Sequence, residues 1–193
     1  MPFFASGTMI TTLAGEKPVE SLSEGDRVIT RDNGLQTVRA AARRDFDYGQ
    51  LALVPHLAPL IVTIGAIDRH LPERDLLVSP NMRLLVSDRQ FVLTKGQREA
   101  LIPVKNLSDG RMVRPCSVLG VSYVQILFDR HQVVLANGIW AEAFCPQDKS
   151  LGAVGNAQRI EIEDILAQGV LPKSMGPHGK TPVGLSSGSP ASV

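Results

Sequence analysis

The chain has 193 residues, with 20 Lys and Arg against 19 Asp and Glu, and so a formal net charge of +1. A hydrophobic share of 44% and a charged share of 20% are those of an ordinary globular protein, and the length suits one domain with a tail. The charge balance excludes an electrostatic nucleic-acid footprint, so Arg43-Arg44 reads as solvated surface and no nucleic-acid partner is expected. The longest apolar stretch, Leu51 to Ile67, is broken by Pro55, His56 and Pro59, so no membrane span is expected either. The start has no basic leader and too short an apolar run for a signal peptide, which makes a cytoplasmic location the default.

Strand signals dominate from the beginning of the chain. Short runs rich in Val, Ile and Leu recur between Gly, Pro, Asp and Asn. They predict strands over Thr8 to Thr12, Arg27 to Thr30, Leu35 to Arg43, Leu60 to Ile64, Leu76 to Val78 and Arg83 to Val86. Further strands are predicted over Gln90 to Leu93, Ala100 to Pro103, Ser117 to Asp129 and Gln132 to Ala136. Asn33-Gly34, between two such runs, predicts a tight hairpin turn with positive φ at both central residues. Asn137-Gly138 reads the same way and pairs Gln132–Leu135 with Ile139–Ala141.

Helix is scarce. Short helical turns are expected near Val19–Leu22 and Val104–Leu107. One longer helix is expected over Asn156 to Gln168, with Ile160, Ile165 and Leu166 on an apolar stripe and Gly169 as its stop. From about Lys173 onward, Gly, Pro and Ser dominate and apolar residues are too few to repay ordering, which predicts a disordered tail.

The chain also resembles itself. Val19-Glu20-Ser21-Leu22-Ser23-Glu24-Gly25-Asp26-Arg27-Val28 aligns without gaps on Val104-Lys105-Asn106-Leu107-Ser108-Asp109-Gly110-Arg111-Met112-Val113. Each copy reads as a helical turn pinned by Val and Leu, an acidic-Gly turn, and a strand entering the core. Two copies at matching places in two β-rich halves imply a duplicated, two-lobed domain with a pseudo-two-fold axis.

These residues resemble the blocks of bacterial Hint (hedgehog/intein) domains. Phe4-Ala5-Ser6-Gly7-Thr8-Met9-Ile10-Thr11-Thr12, then Gly15, Val19-Glu20, Leu22 and Gly25-Asp26-Arg27-Val28, is similar to the opening block, as is Thr30-Arg31-Asp32-Asn33-Gly34 after it. Leu76-Leu77-Val78-Ser79-Pro80-Asn81-Met82-Arg83 resembles the second block, and Tyr123-Val124-Gln125 with Arg130 to Glu142 the closing strands. The resemblance covers about residues 3 to 145 and is collinear. It implies a mostly β fold, a horseshoe-shaped disc of two pseudo-symmetric β lobes. Residues 1–150 would form this β domain, 151–170 a short C-terminal helical extension and 171–193 the disordered tail.

The family's reaction is self-cleavage by an N-to-S acyl shift. It needs a thiolate at the first position, a His to protonate the departing amide nitrogen, and donors for the oxyanion. By resemblance, the family's active-site positions are Phe3, Ser79, Met82, Gln125, Asp129 and His131. Phe3 stands where the nucleophile belongs, and a phenyl ring has no lone pair for acyl transfer. Met82 stands at the His position, and a thioether donates no proton; loss of a general acid costs about 10²–10⁴ in rate. Gln125 stands where relatives often carry His, while Ser79 keeps its hydroxyl and Asp129 and His131 are expected to be able to meet. Only Met1 and Pro2 precede Phe3, so no cargo is expected in this chain.

A degenerate Hint domain serving as a structural or interaction module, with a protein partner conceivable, is therefore the leading expectation. The alternative is active autoprocessing with non-standard residues, Ser79, Asp129 and His131, if the three converge. Introduction of Phe3 and Met82 to trap an uncleaved form is a third reading, although Ala or Ser is the usual choice for that purpose. Phe3 and Met82 are expected to be brought together by the fold and to fill an unneeded cavity with apolar volume, Phe3 being either buried against Met82 or open to solvent in a polar cleft.

The remaining candidates have bland readings that weigh more. His131 reads as a strand histidine bonded within the closing hairpin, Asp26 as a turn residue accepting backbone N–H groups, Ser6 as a turn residue and Thr8 as a core-strand residue. His56 and His70 read as surface, and Trp140 as a core or interlobe anchor. Cys116 and Cys145 lack metal-ligand or CxxC spacing and read as separate thiols, a single disulfide being the alternative. No cofactor or metal is expected, since no phosphate loop, Ser-His-Asp order or zinc spacing is present.

Overall fold

The computed structural model describes residues 2–87 and 98–143. The run Gln90–Leu93, the helix over Asn156–Gln168, the tail and Cys145 lie outside the described residues. The strands are β1 (Phe4–Ala5), β2 (Met9–Thr12), β3 (Gly15–Pro18), β4 (Arg27–Thr30), β5 (Gly34–Thr37) and β6 (Ala40–Asp47). A short helix α1 (Tyr48–Leu53) precedes β7 (Leu60–Val62), β8 (Leu76–Val78), β9 (Arg83–Ser87), β10 (Glu99–Pro103) and β11 (Val113–Pro115). β12 (Gly120–Leu127), β13 (Gln132–Ala136) and β14 (Ile139–Ala143) follow. The mostly β expectation stands, and no helix among the described residues is long and apolar enough to cross a membrane.

The strands form two antiparallel sheets. The first runs β11-β7-β8-β1-β12-β6; the second runs β10-β9-β14-β13-β2-β4-β5, with β3 on β2. The order of the first sheet carries the duplication. Its centre is the pair β1–β8, with Phe4 opposite Val78. Outward from that centre lie β7 and β11 on one side and β12 and β6 on the other. β8 is thus paired by β7 from the first half of the chain, and β1 by β12 from the second half.

The repeated ten-residue unit has the predicted form. Val19 and Val104 each begin a single turn of 3-10 helix, over Val19–Ser21 and Val104–Asn106. Val19, Leu22, Val28, Val104, Leu107 and Val113 are all buried in one core. Gly25 and Gly110 occupy the same place in the turn and both have positive φ, 93° and 74°, which a side chain would resist.

β1 separates two cores by strand alternation. Phe4 points into the main core, which both sheets share, while Phe3 and Ala5 point to the other face. There they meet Phe46, Leu51, Leu57, Val121 and Tyr123. Covered on both faces, β12 is apolar almost throughout. The roof of the second core includes α1, which starts at a capping box: Gln50 N–H donates to Asp47 Oδ1 at 2.8 Å and Asp47 N–H to Gln50 Oε1 at 2.9 Å.

The two Asn-Gly turns differ. Asn137 and Gly138 both have positive φ, 46° and 82°, and join Ala136 to Ile139 as expected. At the other, only Gly34 is positive, at 62°, and Thr30 pairs with Gly34 itself. Arg31, Asp32 and Asn33 thus make a three-residue loop closed by a left-handed glycine, in place of the predicted two-residue turn.

Candidate functional site

The meeting of β1 and β8 places the first and second blocks together. The Phe3 N–H donates to Ser79 Oγ at 2.9 Å, and the Ser79 N–H donates to the Phe3 carbonyl at 3.1 Å. The amide nitrogen that a family member would release is thus held against a buried hydroxyl. After Ser79 the chain turns, Met82 N–H donating to Ser79 O at 2.9 Å, and Val104 N–H donates to Met82 O at 2.8 Å. The second repeated turn is anchored directly to the residue in the His position.

Phe3 and Met82 are both buried, but they do not share one cavity. The Phe3 ring, 4% exposed, stacks on Tyr123 with centroids 5.4 Å apart and planes at 24°. Tyr123 meets the Phe46 ring edge-on at 6.0 Å and 69°. Its hydroxyl donates to the Leu57 carbonyl at 2.8 Å, and burial pushes the phenol far above its ordinary range, so it stays a neutral donor. Met82 lies in the main core with Phe4, Val78, Leu84 and Val104. The expected packing of Phe3 on Met82 is therefore corrected: alternation along β1 turns residue 3 toward the second core.

The other family positions are spread over the closing strands. Gln125 lies one rung beyond the Phe4–Val124 pair, the rung that faces Phe3. It is 2% exposed, and neither its Oε1 nor its Nε2 has a hydrogen-bond partner. Asp129 is exposed and takes two hydrogen bonds from Arg39, at 2.8 and 2.6 Å; that guanidinium holds its carboxyl below the usual range. His131 Nε2 lies 2.9 Å from Glu142 Oε1, within the closing hairpin as expected, and Arg83 approaches the same oxygen at 3.4 Å. Asp129 thus faces Arg39, and His131 faces Glu142.

Glu142 escaped the sequence reading as His131's partner. The available signal was an acid one residue past the predicted strand Ile139–Ala141, which the continued hairpin register brings opposite Val133, two residues from His131. The Tyr123 and Phe46 rings around Phe3 were also not singled out. Thr8 is buried, its Oγ1 donating to the Ala5 carbonyl at 2.7 Å, while Ser6 is exposed. Asp26 accepts from the Ser23 N–H at 2.8 Å and from Lys17 Nζ at 2.6 Å, which agrees with its role as a turn residue. His56 and His70 are exposed, Trp140 is half-buried, and Cys116 is a free thiol. Among the described residues no group of three or more His, Cys, Asp or Glu converges as a metal site would require.

A bacterial intein-like domain from Clostridium thermocellum is similar to the chain at 18% identity, covering 75% of this chain and 99% of that one, with a TM-score of 0.46. A DnaB intein from Synechocystis is similar at 10% identity over 75% and 99%, with a TM-score of 0.48. The gp41-1 intein is similar at 10% over 72% and 97%, with a TM-score of 0.42. A comparison with curated proteins found no match. The Hint domain family model matches residues 2–148, which is most of the chain, and the chain belongs to the Hint domain family.

Proposed function

We propose that this Hint domain does not cleave itself at its first block and acts as a structural or interaction module. The observation that carries the reading is the setting of Phe3. Its side chain has no atom able to attack the preceding carbonyl, and it is committed to an aromatic stack with Tyr123. The second need of the acyl shift, a proton donor, is unmet at Met82, which is fully buried among aliphatic side chains. The non-standard alternative asks Ser79, Asp129 and His131 to converge, and it is less favoured because Asp129 is exposed and bonded to Arg39 while Ser79 is buried against Phe3.

The test is the intact mass of the purified chain over time, with and without an added thiol nucleophile. The reading expects one unchanged mass under both conditions. Time-dependent cleavage at a defined bond would overturn it, and loss of that cleavage in Ser79→Ala would assign the activity to the remaining hydroxyl.

A further inference from the structure

Three Asx-Gly pairs lie among the described residues: Asn33-Gly34, Asp109-Gly110 and Asn137-Gly138. Such pairs share one reactivity. With no side chain on the glycine, its backbone nitrogen can reach the carbonyl carbon at the tip of the Asx side chain. The three stand in very different surroundings, and the difference selects one of them.

Asn137 is held on every side. Its Oδ1 accepts from the Met9 N–H at 2.8 Å, and its Nδ2 donates to the Asp75 carbonyl at 3.0 Å. Its own N–H donates to Met9 O and its carbonyl accepts from Glu73 N–H, both at 2.9 Å. The Glu73 side chain packs so closely on Gly138 that a Cβ there would meet its Cγ at 2.5 Å. Asp109 is held in another way. One carboxylate oxygen accepts from the N–H groups of Arg111, Met112 and Val113, each at 2.9 Å, and the Gly110 N–H already donates to Val113 O at 3.1 Å. A carboxylate is also a poorer acyl group than an amide.

Asn33 is held less: its carbonyl accepts from Gln36 Nε2 at 2.7 Å, but that contact leaves the side-chain Cγ free to turn toward Gly34. It is exposed, in the three-residue loop between β4 and β5, and the space beside Gly34 is open. A single side-chain hydrogen bond, Nδ2 to Gln132 Oε1 at 2.9 Å, is its tether.

We propose that Asn33-Gly34 is a site of spontaneous covalent modification, where Asn33 is converted through a cyclic imide to aspartate and isoaspartate. The Gly34 nitrogen attacks Asn33 Cγ, a C–N bond forms, and the amide nitrogen leaves as ammonia, carrying the proton lost from the Gly34 N–H. Water then opens the imide at either of its two carbonyls. Opening at one gives aspartate and at the other isoaspartate, which has an extra methylene in the main chain.

The two products differ in what they do to the hairpin. In the aspartate form a carboxylate faces Gln132, whose Nε2 is buried and has no partner. Turning that amide over restores a donor-to-acceptor contact, so this product keeps the loop. The isoaspartate form lengthens the loop that joins Thr30 to Gly34 and breaks their register. Either product adds one negative charge and cancels the chain's formal +1.

The full chain is incubated at mildly alkaline pH and mapped by peptide mass spectrometry, in native buffer and in denaturant. In native buffer the Asn33 peptide should gain the mass of an amide-to-acid exchange roughly tenfold or more faster than the Asn137 peptide, which must wait for the fold to open. In denaturant the two peptides should convert at comparable rates. An Asn33 peptide that stays unchanged in native buffer while converting in denaturant would overturn the proposal, and so would equal native rates at the two sites. Gly34→Ala, which places a methyl beside the attacking nitrogen, should slow the native reaction, and circular dichroism would establish that the variant is folded.

Discussion

The turn after β1 and the turn after β8 share a backbone and differ in side chains. Thr8 N–H bonds back to Ala5 O at 3.2 Å, and Met82 N–H bonds back to Ser79 O at 2.9 Å. Val19 N–H donates to Thr8 O, and Val104 N–H to Met82 O, both at 2.8 Å. One turn ends in a buried hydroxyl and the other in a buried thioether. Duplication therefore resides in the hydrogen-bonded frame and its Val and Leu anchors, while a few side-chain positions are free to change without cost to the frame.

The largest effect expected from this comparison is at the matched anchors. Leu22→Ala and Leu107→Ala should each cost about 2–5 kcal/mol in denaturant unfolding, since each empties a buried site in the same core. The two costs should be of the same order, because both side chains are buried to a similar degree in one core, although Leu22 is extended where Leu107 is helical. A near-zero cost at one of them would mean that only the other turn holds the lobes together.

The same comparison explains what could be seen in the sequence. Arg27–Thr30, Leu76–Val78 and Gln132–Ala136 have their predicted ends because apolar residues alternate or run unbroken between turn residues. β1, β3 and β11 carry no such signal. β1 is two residues long, too short for a period, and its strand character comes from being gripped by β8 and β12. β3 is polar and exists by pairing with β2 across a tight turn, and β11 ends in a proline tolerated at a sheet edge. The helix α1 did leave a trace, the Asp47 to Gln50 capping box, but six residues give no helical stripe to go with it. The family positions were legible as letters in blocks. The face to which each side chain turns was not, since the direction of Phe3 depends on which partner strands flank β1. The Arg39–Asp129 pair spans ninety residues of sequence and has no local signature.

Exchange of side chains between the two turns sharpens the comparison at a smaller scale. Met82→Thr places the residue of the first turn into the second. If the frames are equivalent, the new hydroxyl donates to Ser79 O just as Thr8 Oγ1 donates to Ala5 O at 2.7 Å. Met82→Thr and Met82→Val should then lose similar stability, within about 1 kcal/mol of each other, because both remove volume and neither strands a polar atom. A threonine variant about 1–3 kcal/mol worse than the valine variant would mean that its hydroxyl is left unpaired, and that the turns are alike only in outline.

The smallest effects should come from one acid in each repeated turn, Asp26 just after the glycine of the first and Asp109 just before the glycine of the second, held by different means. Lys17, and then the Ser23 N–H, hold the Asp26 carboxyl below its ordinary value of 3.8. Backbone N–H groups hold Asp109 below the same value, that of Val113 first and then those of Arg111 and Met112. A carboxyl lowered in the folded state stabilises it above the unfolded value and loses that contribution as pH falls through the folded one. Asp26→Asn and Asp109→Asn should therefore differ most from the parent chain near neutral pH, and the differences should shrink as pH falls below the ordinary value of 3.8 and on through the lowered folded-state value. Salt separates the two, since about 1 M salt shortens the screening length to about 3 Å. It should shrink the Asp26 difference, which rests first on a half-buried ion pair, and leave the Asp109 difference nearly intact because short backbone hydrogen bonds are not screened in that way. Equal salt sensitivity in chemical unfolding would mean that the Lys17 contact contributes nothing the backbone does not, and Asp26 would then be held, like Asp109, by its backbone donor alone.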